Sequence, residues 1–99
     1  GIGNMKNYEI MYILMPDLDA DATKTEIAAL HKIISDNGGK ITGVNEWGMR
    51  DLAYEIKKQT KGYYVVTEAT CEPKAINEFD RIVRLDSKVI RFLITVAHK

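Results

Sequence analysis

The residues able to do chemistry are few, and their spacing fits no catalytic or metal-binding signature. Two histidines, one cysteine and a run of aspartates are the candidates. His31 stands between Leu30 and Lys32 in a stretch of helical periodicity, where an imidazole serves packing more readily than catalysis. His98 is next to the last residue, and a fraying end holds no reacting group in register. Cys71 has no second cysteine with which to form a disulfide or a thiolate metal set, and it reads as a small buried hydrophobe. Asp17, Asp19 and Asp21 resemble an oxygen-ligand cluster, yet no turn glycine and no bidentate glutamate follow at the required distance. Helix capping accounts for them better. The chain has no G-x-x-x-x-G-K-[ST] phosphate loop, no G-x-S-x-G elbow and no H-E-x-x-H. The expectation is therefore a protein with no catalytic residue, no metal and no cofactor.

Charge is more informative in its distribution than in its total. Fourteen basic residues balance fourteen acidic ones, so no strong overall field draws the chain to nucleic acid or membrane. The half up to Met49 holds four lysines against seven acids, while the half from Arg50 holds ten basic residues against seven acids. All four arginines, Arg50, Arg81, Arg84 and Arg91, lie in the second half. Arginine's planar fork suits phosphate better than lysine's point charge. Arg81 and Arg84, three apart, are neighbours on one helix face, and Lys88 follows in the next turn. A solvated helix end that favours cations at its negative pole explains the same cluster.

Lys61-Gly62-Tyr63-Tyr64-Val65-Val66 partly matches the third-strand motif of RNA-recognition domains, K/R-G-F/Y-G/A-F-V-x-F/Y. Tyr64, Val65 and Glu68 depart from it, and the later stacking aromatics are missing. A free-standing single-stranded RNA reader using Tyr63 or Tyr64 as stacking platforms is the alternative this motif keeps open.

The elements that must position these residues follow from periodicity. Ninety-nine residues make one domain, large enough to fold without staples, and 45% apolar with 28% charged residues is ordinary globular composition. No apolar run approaches the ~20 residues that span a bilayer. No basic segment leads into an apolar one near the amino terminus, so no signal peptide is expected, and a reducing cytosolic setting fits. Gly1-Ile2-Gly3-Asn4 reads as a cloning scar before Met5, leaving residues 5–99 as the domain.

Tyr8 to Leu14 is a β-rich run closed by Met15-Pro16-Asp17. Asp19 or Asp21 can cap the helix that follows, whose Ile27, Leu30, Ile33 and Ile34 form one apolar face. Gly38-Gly39 ends it. Lys40 to Ile56 alternates, with Gly48 marking a bulge or a close backbone approach, and Lys57 to Gly62 is the expected turn into a strand from Tyr63 to Thr67. Glu72-Pro73 opens a second helix with Ile76, Phe79, Ile82 and Val83 inward and Leu85 capping that face. Val89 to Val96 is the last strand. The order β-α-β-β-α-β predicts an α+β, ferredoxin-like sandwich, a four-stranded antiparallel sheet with two helices on one face. Ile10, Tyr12 and Leu14 then face the helices. Met11, Ile13 and Leu93 share the open side with Glu9 and Arg91, either as a partner-binding patch or as local packing under side-chain stems.

Gly48-Met49-Arg50-Asp51-Leu52-Ala53-Tyr54-Glu55-Ile56-Lys57 resembles the second-strand signature of the bacterial small-ribosomal-subunit protein six family. Tyr8 to Leu18, Lys61-Gly62-Tyr63-Tyr64 and the segment from Phe79 to Phe92 are similar to that family as well. The resemblance implies the same fold, no catalysis, a place in the ribosomal small subunit of the cytoplasm, and heterodimer formation with small-subunit protein eighteen on the central domain of 16S ribosomal RNA. It implies RNA contacts from Lys6, Arg50, Asn77, Arg84 and Arg91, to which the charge map adds Arg81 and Lys88. Met11, Ile13, Tyr54, Tyr64 and Leu93 are the candidates for the partner's surface. At Asp86 and Ile90 the chain lacks basic residues that some relatives carry.

Overall fold

A computed structural model describes residues 5–97, which places Gly1–Asn4, His98 and Lys99 outside the described residues. The elements are β1 (Lys6–Leu14), α1 (Ala20–Asp36), β2 (Lys40–Ile56), β3 (Gln59–Cys71), α2 (Pro73–Arg84) and β4 (Val89–Val96). The strands form one antiparallel sheet in the order β2-β3-β1-β4, the ferredoxin-like arrangement expected from the element order.

Local chemistry sets the boundaries. Of the two possible caps, Asp19 is the one used: its carboxylate accepts from the Ala22 N–H at 2.7 Å. At the other end the Gly39 N–H reaches the Ile34 carbonyl at 2.9 Å and the Gly38 N–H reaches that of Ser35 at 3.2 Å, a Schellman closure. Pro73 starts α2, where its missing N–H costs nothing. One core joins Ile10, Tyr12 and Leu14 of β1, Val65, Ala69 and Cys71 of β3, Ile27, Leu30 and Ile34 of α1, and Ala75, Phe79 and Val83 of α2. Each helix commits one stripe to it.

Gly48 makes the expected bulge. Its φ is +85°, which an L side chain rarely adopts, and the β2–β3 register shifts between Glu46 and Gly48. A second irregularity was not foreseen. Asp51 pairs with Lys61 and Ile56 with Gln59, so residues of β2 between them have no counterparts on β3. The β2–β3 turn is also tighter than expected. It consists of Lys57 and Lys58 alone, both with positive φ (50° and 65°), as a two-residue turn of the primed kind requires. Gln59 to Gly62 are strand residues. Leu85 departs from expectation as well: its N–H closes α2 on the Ile82 carbonyl at 3.1 Å, but its side chain is 80% exposed and covers none of the apolar face.

Candidate functional site

The extra residues of β2 let its end lean across the side of the sheet away from the helices. Leu52, Ala53, Tyr54 and Ile56 from this hairpin arm meet Met11 and Ile13 of β1, Tyr64 of β3, and Arg91 and Leu93 of β4 around a shallow cleft of about 170 Å³. The Arg91 guanidinium donates to the Tyr54 hydroxyl at 2.6 Å. Four of the five expected partner-facing residues thus remain on a surface that a partner can reach, with Tyr54 and Leu93 exposed and Met11 and Tyr64 half-buried. Ile13 is corrected. It is only 3% exposed, because the arm roofs its position and β3 packs close beside it.

Beside the cleft stands an aromatic platform. The Trp47 and Tyr64 rings are stacked, 5° from parallel with centroids 6.4 Å apart. The Arg50 guanidinium sits 5.1 Å from the centre of the Trp47 ring. Trp47 is an extra residue of the Gly48 bulge, and the bulge aims its ring over Tyr64. Trp47, about half exposed, adds apolar surface that was not singled out from the sequence, whereas the equally exposed Met49 lies on the other side with Tyr63. The signal was a bulge glycine directly after a tryptophan. Tyr63 turns the other way: its hydroxyl donates to Glu46 at 2.7 Å, and it lies beside Leu18 and Thr23 on the helix side. Only Tyr64, of the two tyrosines considered for stacking, shares the cleft side.

The basic candidates do not form one cluster. Lys6 pairs with Cys71 at one end of the sheet, whereas Arg50 pairs with Gly62 near the other. Leu14 lies eight residue steps beyond Lys6 along β1, roughly 26 Å at the usual strand rise. Asn77, Arg81 and Arg84 lie exposed on α2 and Lys88 in the turn beyond it. Arg81 makes a bidentate pair with Glu78 at 2.6 and 2.9 Å, holding that carboxyl below the ordinary range, and Arg84 pairs with Asp80 while lying 5.6 Å from the Phe92 ring centre. Among the described residues, Arg50, Arg91, Lys6 and Lys88 have no carboxylate within salt-bridge distance.

The groups considered for catalysis sit in packing roles. The His31 Nε2 atom is 3.3 Å from the Tyr12 hydroxyl and 3.1 Å from Thr67 Oγ1, within hydrogen-bond reach of both, and Thr67 Oγ1 also donates to the Tyr12 oxygen at 3.5 Å. Burial pushes its pKa down, against a weaker upward pull from Glu46. Burial also raises the Tyr12 phenol to about 12 and raises the Cys71 thiol. Glu26 was missed. It is 6% exposed, and its Oε2 is buried without a partner among the described residues. The sequence did hold the clue, since an acid at position 26 falls between Thr23 and Leu30 on the buried stripe of α1.

The distinctive surface of this small α+β sandwich is a cleft, an aromatic platform and scattered cations, and the class it falls in is that of a ribosomal protein. The family model described as Ribosomal protein S6 matches residues 7–96, and the chain belongs to that family. Small ribosomal subunit protein bS6 of Moorella thermoacetica is 40% identical over 91 residues, covering 92% of this chain and 93% of the relative. The bS6 protein of Acholeplasma laidlawii is 45% identical over 87 residues, covering 88% and 92%. The crystal structure of 30S ribosomal protein S6 from Thermotoga maritima superposes with a TM-score of 0.89 at 31% identity, over 94% of this chain and 88% of that one. The C-terminal domain of MgtC from Mycobacterium tuberculosis, at 11% identity and a TM-score of 0.63, shares the fold alone. The protein is accordingly a non-enzymatic constituent of the small ribosomal subunit, in the cytoplasm.

Proposed function

We propose that the protein binds the central domain of 16S ribosomal RNA as a heterodimer with small-subunit protein eighteen. The observation that carries this reading is a zero net charge joined to an exposed apolar and aromatic surface around Trp47, Tyr54, Tyr64 and Leu93. RNA affinity comes mainly from neutralised phosphates, and a chain with no surplus of positive charge gains little of it alone. A basic partner seated on the apolar surface supplies the missing charge. Met11, Tyr54, Tyr64 and Leu93 then meet the partner, joined by Trp47. Arg50, Arg84, Lys88 and Arg91, with Lys6, Asn77 and Arg81, meet phosphate and sugar, holding RNA shape rather than reading bases.

Gel-shift or filter binding to a central-domain 16S RNA fragment, with and without protein eighteen, tests the reading. Weak binding alone and tight, salt-sensitive binding with the partner is the expected result. Tight binding of the isolated protein to generic single strands, lost on Tyr64→Leu, overturns it in favour of a stacking reader, which loses about 1–3 kcal/mol per base.

A further inference from the structure

Two cavities meet at β4 and have two residues in common. One is the apolar cleft of Met11, Tyr54 and Tyr64. The other is a groove of about 550 Å³ along β4, an edge strand of the sheet, with Asp80, Val83 and Arg84 of α2 on its helix side. Arg91 and Leu93 line both. The groove gathers three cations, Lys57, Arg84 and Arg91, against one acid, Asp80. Lys57 arrives there from the β2–β3 turn, and its Nζ donates to the Val89 carbonyl at 3.5 Å. Arg84 is paired with Asp80, whereas Lys57 and Arg91 have no carboxylate within salt-bridge distance among the described residues. That surplus of positive charge is the chemistry of a phosphate site.

Arg91 is held from the cleft side. Its Nη1 donates to the Tyr54 hydroxyl at 2.6 Å, a bond that leaves the donors of Nε and Nη2 for another acceptor. Those two nitrogens form the side of the fork that grips an oxyanion with two parallel bonds.

We infer that Tyr54 is the positioning residue for Arg91: from the partner cleft its hydroxyl fixes Nη1 and turns the Nε–Nη2 edge toward an RNA phosphate in the β4 groove. The inference rests on the RNA and partner reading above and supplies a route between the two surfaces. In the free protein both groups are exposed, so water competes for the bond and the arginine is held weakly. A partner seated on the cleft covers Tyr54 and displaces that water, and the lower local dielectric strengthens the bond. The phosphate then meets a guanidinium already oriented, and less side-chain freedom is lost on binding. Coupling of this kind is reciprocal, so RNA strengthens the partner's hold through the same bond by the same factor.

Gel-shift titration of a central-domain 16S RNA fragment with the full chain, alone and at saturating protein eighteen, tests this. Tyr54→Phe removes one exposed hydroxyl and keeps the ring, so the variant folds. At saturating partner its RNA affinity is expected to fall by about two- to tenfold, the range for one hydrogen bond. The loss should vanish in an Arg91→Gln background and keep its full size in an Arg50→Gln background, because Arg50 engages Trp47 instead. RNA affinity undiminished in Tyr54→Phe at saturating partner, whatever its partner affinity, overturns the inference and leaves the heterodimer reading standing. A Tyr54→Phe loss of equal size in the Arg91→Gln background does the same. If protein eighteen brings the unaltered chain no gain in RNA affinity, the heterodimer reading falls and the inference falls with it.

Discussion

Arg91 on β4 holds the hydroxyl of Tyr54 on β2, although these strands are the two opposite edges of the sheet. The bond closes a strap over β3 and β1, and it exists because β2 carries unpaired residues between Asp51 and Ile56. Both groups are exposed, so the bond contributes at most about 1 kcal/mol. Tyr54→Phe is expected to leave the unfolding midpoint almost unchanged while amide exchange quickens over residues 52–58 and not in β1. Unchanged exchange there would mean that Leu52 and Ile56, resting on Ile13, hold the arm without it.

Gly62 is a close-approach glycine inside β3. A Cβ built there overlaps Ile13 Cγ2 and comes within 3.3 Å of both Ile90 Cδ1 and the Leu14 carbonyl oxygen. Ile13 and Ile90 are each 3% exposed and have little room to yield. Gly62→Ala is expected to cost roughly 1–3 kcal/mol by overpacking. In a double-mutant cycle with Ile13→Ala, which alone costs about 2–5 kcal/mol, the pair should be less destabilised than the sum of its members. Denaturant unfolding of the four proteins measures this.

These two sites also mark where sequence reading runs out. The strands, the helix faces, a cap at Asp19 or Asp21 and an irregularity at Gly48 were legible because each is decided within a few residues by periodicity or backbone conformation. Gly62 looked like part of a polar turn because Lys57-Lys58-Gln59-Thr60-Lys61 is continuously polar. The turn residues are lysines, and nothing local shows that they adopt positive φ when the usual glycine is absent. Ile13 was placed correctly on the face away from the helices, but its burial depends on the lean of β2. That lean comes from a register offset between two strands, which no single strand encodes. Glu26 escaped notice because an acid on a helix reads as solvated, whatever its position on the stripe.

His31 gives stability a pH dependence. Its folded pKa lies below the ordinary 6.5, chiefly through burial, so the stability it contributes is present above 6.5 and is lost as pH falls through the depressed value. His31→Gln, which keeps a polar group near Tyr12 and Thr67, is expected to remove this acid-side loss. His31→Leu leaves those two hydroxyls, 3.5 Å apart, with only each other and should cost about 1–2 kcal/mol at neutral pH. Unfolding free energies at pH 5 and pH 8 separate the two effects.

The ion pairs on α2 rank the cations for RNA binding in a way that residue type alone does not. Among the described residues, Arg50 and Arg91 engage only neutral groups, the Trp47 ring and the Tyr54 hydroxyl, so their charge is available to a phosphate without breaking an ion pair. Arg81 is held through Nε and Nη2 by Glu78, and a phosphate must displace that carboxylate or tolerate it alongside. Each lost phosphate contact lowers the slope of log affinity against log salt by about 0.7–0.9. With protein eighteen present, Arg50→Gln and Arg91→Gln are each expected to lower the slope by about that amount and to weaken binding evenly across RNA sequences. Arg81→Gln should change the slope less. Glu78→Gln should tighten binding, because it releases Arg81 from its partner and removes a negative charge from the same surface. Gel-shift titrations from 50 to 200 mM salt measure all four variants, and a slope loss for Arg81→Gln equal to that for Arg91→Gln would show that the Glu78 pair opens at no cost.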